Sequence, residues 1–387
     1  MLPCNEGETM AGKGGDFRTA CIPEYGAELS STAISNKEGE IMRKREKRLV
    51  GSLVVLFFLV GILFVAGAQA ADIKKPDDYP TRKIEWNLWY GPGGGTDIFS
   101  RTIGIPARRH LRPVPLVIIN IPGAAGANGM IYTMEQPADG YTITSIGNDL
   151  PINDVLKRAK FKGRPLTIDD FVPIIRCQYD TATIQVSSKK SHSKGKPFKD
   201  IKDFVKYAKA NPGKVTIGGT GSAGFDEVVV VMFMKAAGIE AKYVPFDSAG
   251  KMHAQVLGGH IDAMFEEFGS TIALLEKGDI NALVVFKEDR VKDKRFSKIP
   301  VAPELGWDVT LGRWRGIGAK AGTPPDRIEY LHQIFKKAMG HSIYQSMEKT
   351  RLLDLRPGYM GPKDLVQLIK KEKETFASVL KELGYVK

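Results

Sequence analysis

The chain has 387 residues, 43% hydrophobic and 26% charged, with a formal net charge of +12 at pH 7. That length holds two domains of ordinary size, and that balance excludes disorder as the default state of the bulk of the chain. A basic surface suits an anionic ligand by long-range steering, but it suits nucleic acid or a membrane surface equally well and selects nothing alone.

Residues 1–40 have no apolar period. Arg43-Lys44-Arg45-Glu46-Lys47-Arg48 then leads into an apolar run from Leu49 to Gly67, closed by Ala68-Gln69-Ala70-Ala71. A basic segment, an apolar segment and an A-x-A site make a secretory signal, with cleavage expected after Ala70. The apolar run is longer than is usual for such signals, so an uncleaved membrane anchor is the rival reading. Because the signal starts near Met42, residues 1–41 are expected to be a mis-called, disordered extension and 42–70 the signal. Residues 1–70 contain eight basic and eight acidic residues, so their removal leaves the charge at +12. Export argues against nucleic acid as a partner. Cys4 and Cys21 leave with this region. Cys177 then stands alone, which excludes an internal disulfide and a Cys-based metal site. Its setting, Ile174-Ile175-Arg176-Cys177-Gln178, reads as a buried strand.

Residues 71–78 form a polar linker. Lys83 to Trp89 is apolar at alternate positions, as a strand requires. The turn Gly91-Pro92-Gly93-Gly94-Gly95-Thr96-Asp97 follows, then a helical stretch from Ile98 through Leu111 that Thr96 or Asp97 could cap. A strand, a glycine turn and a helix in this order aim free backbone N–H groups and a positive helix end at one spot, where an anion is the natural guest. The pattern recurs. Pro122-Gly123-Ala124-Ala125-Gly126-Ala127-Asn128-Gly129 follows the strand Leu116 to Asn120, and Gly218-Gly219-Thr220-Gly221-Ser222-Ala223-Gly224 follows Val215-Thr216-Ile217. Three such turns read as a pocket built of backbone amides.

Between and after them come a helix from Gly126 to Met134, a turn at Pro137-Ala138-Asp139-Gly140, and a strand from Tyr141 to Ile146. Phe171 to Val186 is β-rich, and Ser187 to Pro197 is a solvated loop. The spacing predicts helices over Ile201–Ala210, Val228–Ala237, Met252–Leu257 and Ser270–Lys277. They alternate with strands at Ala241–Phe246, Ile261–Phe265 and Ala282–Phe286. Lys287 to Lys298 is charged surface. Trp314 to Ala319 reads as a strand, Asp326 to Met339 as a helix, Leu352 to Pro357 as extended chain, and Pro362 to Leu383 as a long terminal helix. Alternating β and α units define an α/β fold with helices flanking sheets.

Other chemistry finds less support. Gly219-x-Gly221-x-x-Gly224 matches the dinucleotide fingerprint, with Asp247 a little over twenty residues on, so a nicotinamide-dependent oxidoreductase is the alternative. No Gly-Lys-Ser/Thr follows a glycine turn, and no Gly-x-Ser-x-Gly elbow occurs. His253 and His260 have no carboxylate at metal spacing and read as surface or cap residues. Glu266-Glu267 could be an acid/base pair but reads as a pocket wall or a solvated edge. Trp89 and Tyr90 touch the first glycine turn, so either could pack against a ligand.

Taken in order, nine short motifs resemble one family. They are Gly93-Gly94-x-x-Asp97-x-x-x-Arg101; Pro122-Gly123-Ala124-x-Gly126-x-x-Gly129; Pro137-x-Asp139-Gly140-Tyr141-Thr142; Asp170-Phe171-x-Pro173; Gly221-Ser222-Ala223-Gly224; Val244-Pro245-Phe246-x-Ser248-x-Gly250; Leu257-Gly258-Gly259-His260-Ile261-Asp262; Trp314-Arg315-Gly316; and Gly322-Thr323-Pro324. The series is similar to the substrate-binding receptors of the tripartite tricarboxylate transporter family, also called Bug receptors.

The resemblance implies a type II-like, two-lobed periplasmic binding protein. Lobe 1 would be residues 79–179 and 310–387, and lobe 2 residues 180–309, with the ligand cleft between them. It implies a small carboxylate ligand, a membrane permease of one large and one small subunit as partner, a periplasmic location and a monomer. It implies neither catalysis nor a cofactor nor a metal; presentation of the ligand to a membrane kinase is the variant use.

By position, Tyr90, Gly93, Gly94, Gly95, Thr96, Asp97, Ala124, Ala125, Gly126 and Asn148 would bind the ligand from lobe 1. Thr220, Ser222, Ala223, Gly224, Asp226, Phe246, Ser248 and Glu266 would bind it from lobe 2. The chain departs from the family at Glu227, where many members have His, at Trp89, a usual Pro, and at Glu266-Glu267. The added negative charge is expected to disfavour a tricarboxylate and favour a monocarboxylate, or an acid carrying an amine or hydroxyls.

Overall fold

The computed structural model describes residues 73–387, which form one compact unit. The expected extension and export signal lie outside the described residues. Chain order runs β1 (Ile84–Leu88), α1 (Gly95–Leu111), β2 (Leu116–Asn120), α2 (Ala127–Glu135), β3 (Thr142–Gly147), α3 (Asp149–Val155), a two-strand clip β4 (Lys160–Phe161) and β5 (Arg164–Pro165), and β6 (Phe171–Tyr179). It continues with β7 (Ala182–Ser187), α4 (Ile201–Ala210), β8 (Thr216–Thr220), α5 (Phe225–Ala237), β9 (Lys242–Phe246), α6 (Ala249–Gly258), β10 (Ala263–Glu267), α7 (Phe268–Lys277) and β11 (Ile280–Val285). It closes with β12 (Trp314–Lys320), α8 (Pro325–Met339), α9 (Ser342–Thr350) and α10 (Pro362–Glu382).

Two five-stranded mixed sheets organise these elements, in the orders β2-β1-β3-β12-β6 and β11-β7-β10-β8-β9. In the first, β1 runs parallel to β2 and β3, and β12 runs antiparallel between β3 and β6. In the second, β8 runs parallel to β9 and β10, with β7 antiparallel to β10 and β11. Each sheet has its own apolar core. Trp86 meets Phe99 of α1 and Phe335 of α8 edge to face, and Ile103 and Ala107 continue the buried stripe of α1. In the second lobe Phe233 and Phe265 both pack on Phe286, and Phe204 packs on Phe233.

The chain crosses between sheets from β6 to β7, and returns ahead of β12. The terminal helix is a third bridge. Leu365 and Ile369 lie in a cluster with Trp89 and Trp314 of the first lobe, whereas Phe376, Val379 and Leu380 lie in the core of the second. The terminal helix, expected within lobe 1, thus packs on both cores. The apolar stripe of α10 is long enough to serve two cores in succession. Ile152 of α3 joins the same seam.

Local expectations differ in a few places. The helix after the first glycine turn begins at Gly95 with Gly94 as its N-cap and no side-chain cap, so Thr96 and Asp97 lie inside its first turn. The segment expected to be extended after Leu352 contains a single 3-10 turn, Leu353–Leu355. Helices α3 and α9 are additional. Each is short, at seven and nine residues, and their apolar periods are too brief to read from sequence.

Candidate functional site

A cavity of about 490 Å³ opens between the lobes, within the size range of small-molecule sites. It lies beyond the carboxyl ends of the parallel strands in both sheets, where open α/β sheets place their ligands. Residues Trp89 to Thr96 after β1, Gly147 and Asp149 after β3, Thr220 and Asp226 after β8, Asp247 to Gly250 after β9, and Glu266-Glu267 at the end of β10 all line it. β12 runs antiparallel, so its starting end reaches the same rim and adds Arg313, Trp314 and Arg315.

The first glycine turn is held by one carboxylate. Asp97 accepts from the Gly93 N–H at 3.0 Å, Arg101 Nε at 2.9 Å and Asn120 Nδ2 at 3.0 Å. Burial alone would raise its pKa, but these donors hold it below the ordinary value. Asp97 is thus a brace behind the cavity and does not line it. Asn120 also donates to the Tyr90 carbonyl at 2.8 Å. The Tyr90 hydroxyl donates to Asp149 Oδ2, and burial with that carboxylate pushes the phenol well above its usual pKa.

The second glycine stretch serves packing. A Cβ on Gly126 or Gly129 would meet the Trp89 indole at 3.0 Å and 2.3 Å, so glycine there lets the helix close on that ring. Trp89 Nε1 donates to Thr144 Oγ1 at 2.6 Å, and Trp89 is among the residues that line the cavity. Ala124, Ala125 and Gly126 do not line it. Instead the Ala125 carbonyl accepts from Asn153 at 2.9 Å, Asn153 Oδ1 accepts from Arg158 at 3.1 Å, and Arg158 donates to the Ala223 carbonyl at 3.0 Å. The second and third glycine turns are thereby tied to each other across the lobes, away from the cavity. Asn148 is also beneath the cavity: it donates to Glu372 of α10 at 3.0 Å and accepts from the Trp314 N–H at 3.0 Å.

In the second lobe the third glycine turn is occupied by its own side chains. Asp226 accepts from the Thr220 N–H at 2.7 Å and Thr220 Oγ1 at 2.6 Å, and Glu227 accepts from the Ala223 N–H at 2.6 Å. Carboxylates already hold the Thr220 and Ala223 amides of this turn, so part of its donor set is taken within the protein. Thr220 and Asp226 line the cavity; Ser222, Ala223, Gly224 and Phe246 do not. Ser248 lines it as N-cap of α6. Among the described residues, the amides of Ala249, Gly250 and Lys251 have no protein partner, so a second bare helix end faces the first across the cleft. Glu266 forms a wall. Burial pushes its carboxyl up to about 7, against the pull of His253 Nε2 at 2.6 Å.

Two arginines that sequence reasoning did not single out as site residues supply the positive charge. Arg313 Nε donates to Glu267 at 2.9 Å, one Nη to Asp226, and the other reaches Asp149 at 3.5 Å. It joins carboxylates of both lobes through three of its five donors. Burial would lower its pKa, but the three carboxylates hold it charged. Arg315, two residues on, stands in contrast: its nearest carboxylates, Asp180 and Glu267, are each 3.8 Å away. The one signal was the Trp314-Arg315-Gly316 motif, which holds Arg315 but not Arg313 and carries no role until strand order is known.

A cleft of backbone amides and a few charged groups between two α/β lobes defines a solute-binding protein. The chain belongs to the family described as the tripartite tricarboxylate transporter family receptor, whose profile matches residues 101–385. A curated relative in the gbd 5′ region of Cupriavidus necator is 28% identical over 315 residues, 80% of this chain and 90% of the relative. A TctC solute-binding protein from Polaromonas superposes with a TM-score of 0.63 at 26% identity, covering 79% of this chain and 99% of that one. MatC from Rhodopseudomonas palustris, solved with bound malate, superposes with a TM-score of 0.65 at 22% identity, covering 78% and 100%.

Proposed function

We propose that the chain is a periplasmic receptor that captures a small carboxylate reversibly between its lobes and delivers it to a tripartite tricarboxylate-type secondary transporter. The observation that carries this reading is the pair of bare helix ends, α1 from one lobe and α6 from the other, opening on one cleft. Each helix end favours an anion, and closure would exclude water around it. Gly94 to Thr96 and Ser248 to Gly250 then present amides to the ligand, and Trp89 and Tyr90 stand beside it. No covalent step is needed, and no cofactor; the partners are a large and a small permease subunit, met by the receptor as a monomer. Malate bound to MatC supports the ligand class, and family membership supports the transporter.

The test is a thermal-shift and calorimetric screen of the protein against carboxylic acids, their primary amides, and nicotinamide cofactors. Binding to the folded state alone raises the melting temperature by mass action. A shift with acids and none with their amides is the expected result. A shift with nicotinamide cofactors alone would overturn the receptor reading.

A further inference from the structure

Arg315 is 6% exposed, and its buried Nε has no hydrogen-bond partner. At 3.8 Å, its contacts with Asp180 and Glu267 are too long for hydrogen bonds. Burial, with Glu267 nearby, pushes the Asp180 carboxyl up to about 8, so near neutral pH Glu267 is the main charge opposite Arg315, and Arg313 already uses it. The guanidinium lies against the start of α1: a Cβ on Gly95 would fall 2.5 Å from Nη2. Among the described residues, the amides of Gly95, Thr96 and Asp97 at that same helix start have no protein partner, because the Asp97 carboxylate turns back to Gly93.

A cation pressed on the positive end of a 17-residue helix is unfavourable unless an anion lies between them. A buried guanidinium without hydrogen bonds is a costly group that a planar carboxylate satisfies with two parallel bonds.

We infer that Arg315 and the first turn of α1 together form the carboxylate anchor of the cleft. The inference rests on the receptor reading and adds a direct, charged contact to it. Arg313 already directs three of its five donors to carboxylates, whereas Arg315 makes no such bond. Those same carboxylates admit one negative charge at this point and disfavour a dianionic head such as phosphate. They face the rest of the ligand with acceptors, which a hydroxyl or amine would meet.

The experiment titrates acetate, malate, glutamate and benzoate, each beside its primary amide, into wild type, Arg315→Gln, Arg315→Lys and Gly95→Ala at pH 7 by calorimetry. Arg315→Gln is expected to weaken the best acid at least about thirtyfold and to bind acid and amide about equally; Arg315→Lys should recover part of the preference. Gly95→Ala keeps the helix while its methyl displaces the guanidinium, so it should weaken the acid even if Arg315→Gln fails to fold. Acids that bind wild type and both the Gln and Ala variants alike would overturn the anchor and leave the receptor standing. Failure of every acid to bind wild type would overturn both.

Discussion

Arg313 and Arg315 lie two residues apart on one rim of the cleft and do different work. Arg313 clasps Asp149 of the first lobe to Asp226 and Glu267 of the second, with almost no solvent around any of the three carboxylates. Removing its charge leaves carboxylates buried without a counter-ion. Arg313→Met is expected to cost about 3–5 kcal/mol of stability, read as a lower urea midpoint. A change under about 1 kcal/mol would mean that the clasp holds nothing. Residue-level sequence reading found Gly93, Gly94, Gly95, Thr96, Thr220, Ser248 and Glu266 at the cavity because each sits at the end of a strand recognisable from its neighbours. It passed over the arginines because their place depends on β12 running antiparallel beside β3, a pairing more than 160 residues apart that no local pattern encodes. Ala223 and Gly224 were offered for the ligand on the glycine pattern, yet that pattern cannot reveal that Glu227 bends back onto the Ala223 amide.

At the scale of elements, α10 was legible as a helix from the spacing of its apolar residues. Which core each of its turns enters was not, since both ends of the stripe look alike in sequence. Phe376 is fully buried against Phe225 of the second lobe, at 6.2 Å between ring centroids. Phe376→Ala should therefore destabilise the protein by about 3–5 kcal/mol in chemical denaturation, although it does not line the cavity. Unfolding of this variant that begins in the first lobe alone would contradict the placement. The middle of the same helix carries Glu372, which accepts from Trp314 Nε1 at 2.9 Å and Asn148 Nδ2 at 3.0 Å, so the helix also supports the floor of the cleft.

Across the whole molecule, several carboxyl groups are buried enough to hold their protons near neutrality. Burial pushes Glu372 and Asp180 up to about 8, and Glu266 and Glu348 up to about 7. Each native carboxyl binds its proton more tightly than the unfolded chain does. The stability this contributes is fully present below the ordinary carboxyl range and is lost as pH rises through 7 to 8. The melting temperature is therefore expected to fall between pH 6 and pH 9. Glu372→Gln, which stays neutral throughout, should lose part of that fall, melting above wild type at pH 9 and beside it at pH 6. Parallel curves for the two proteins would show that Glu372 does not titrate in this window. The α/β class and the two-lobed plan were readable from the alternation of strands and helices. The division of residues between lobes was less so, because burial is shared across the seam.

The position of β12 has a consequence for how the chain becomes a receptor in time. This strand sits inside the first sheet, between β3 and β6, yet it is made of residues 314–320. A chain emerging from its amino end, whether from a ribosome or through a membrane pore, presents all of the second lobe's strands while the first sheet still has a gap. Arg313 and Arg315 arrive with the strand that fills it, and α10 follows to join the cores. The cleft is thus completed only late in synthesis, and a fragment ending before β12 would keep a gapped first sheet and a rim of carboxylates without its two arginines.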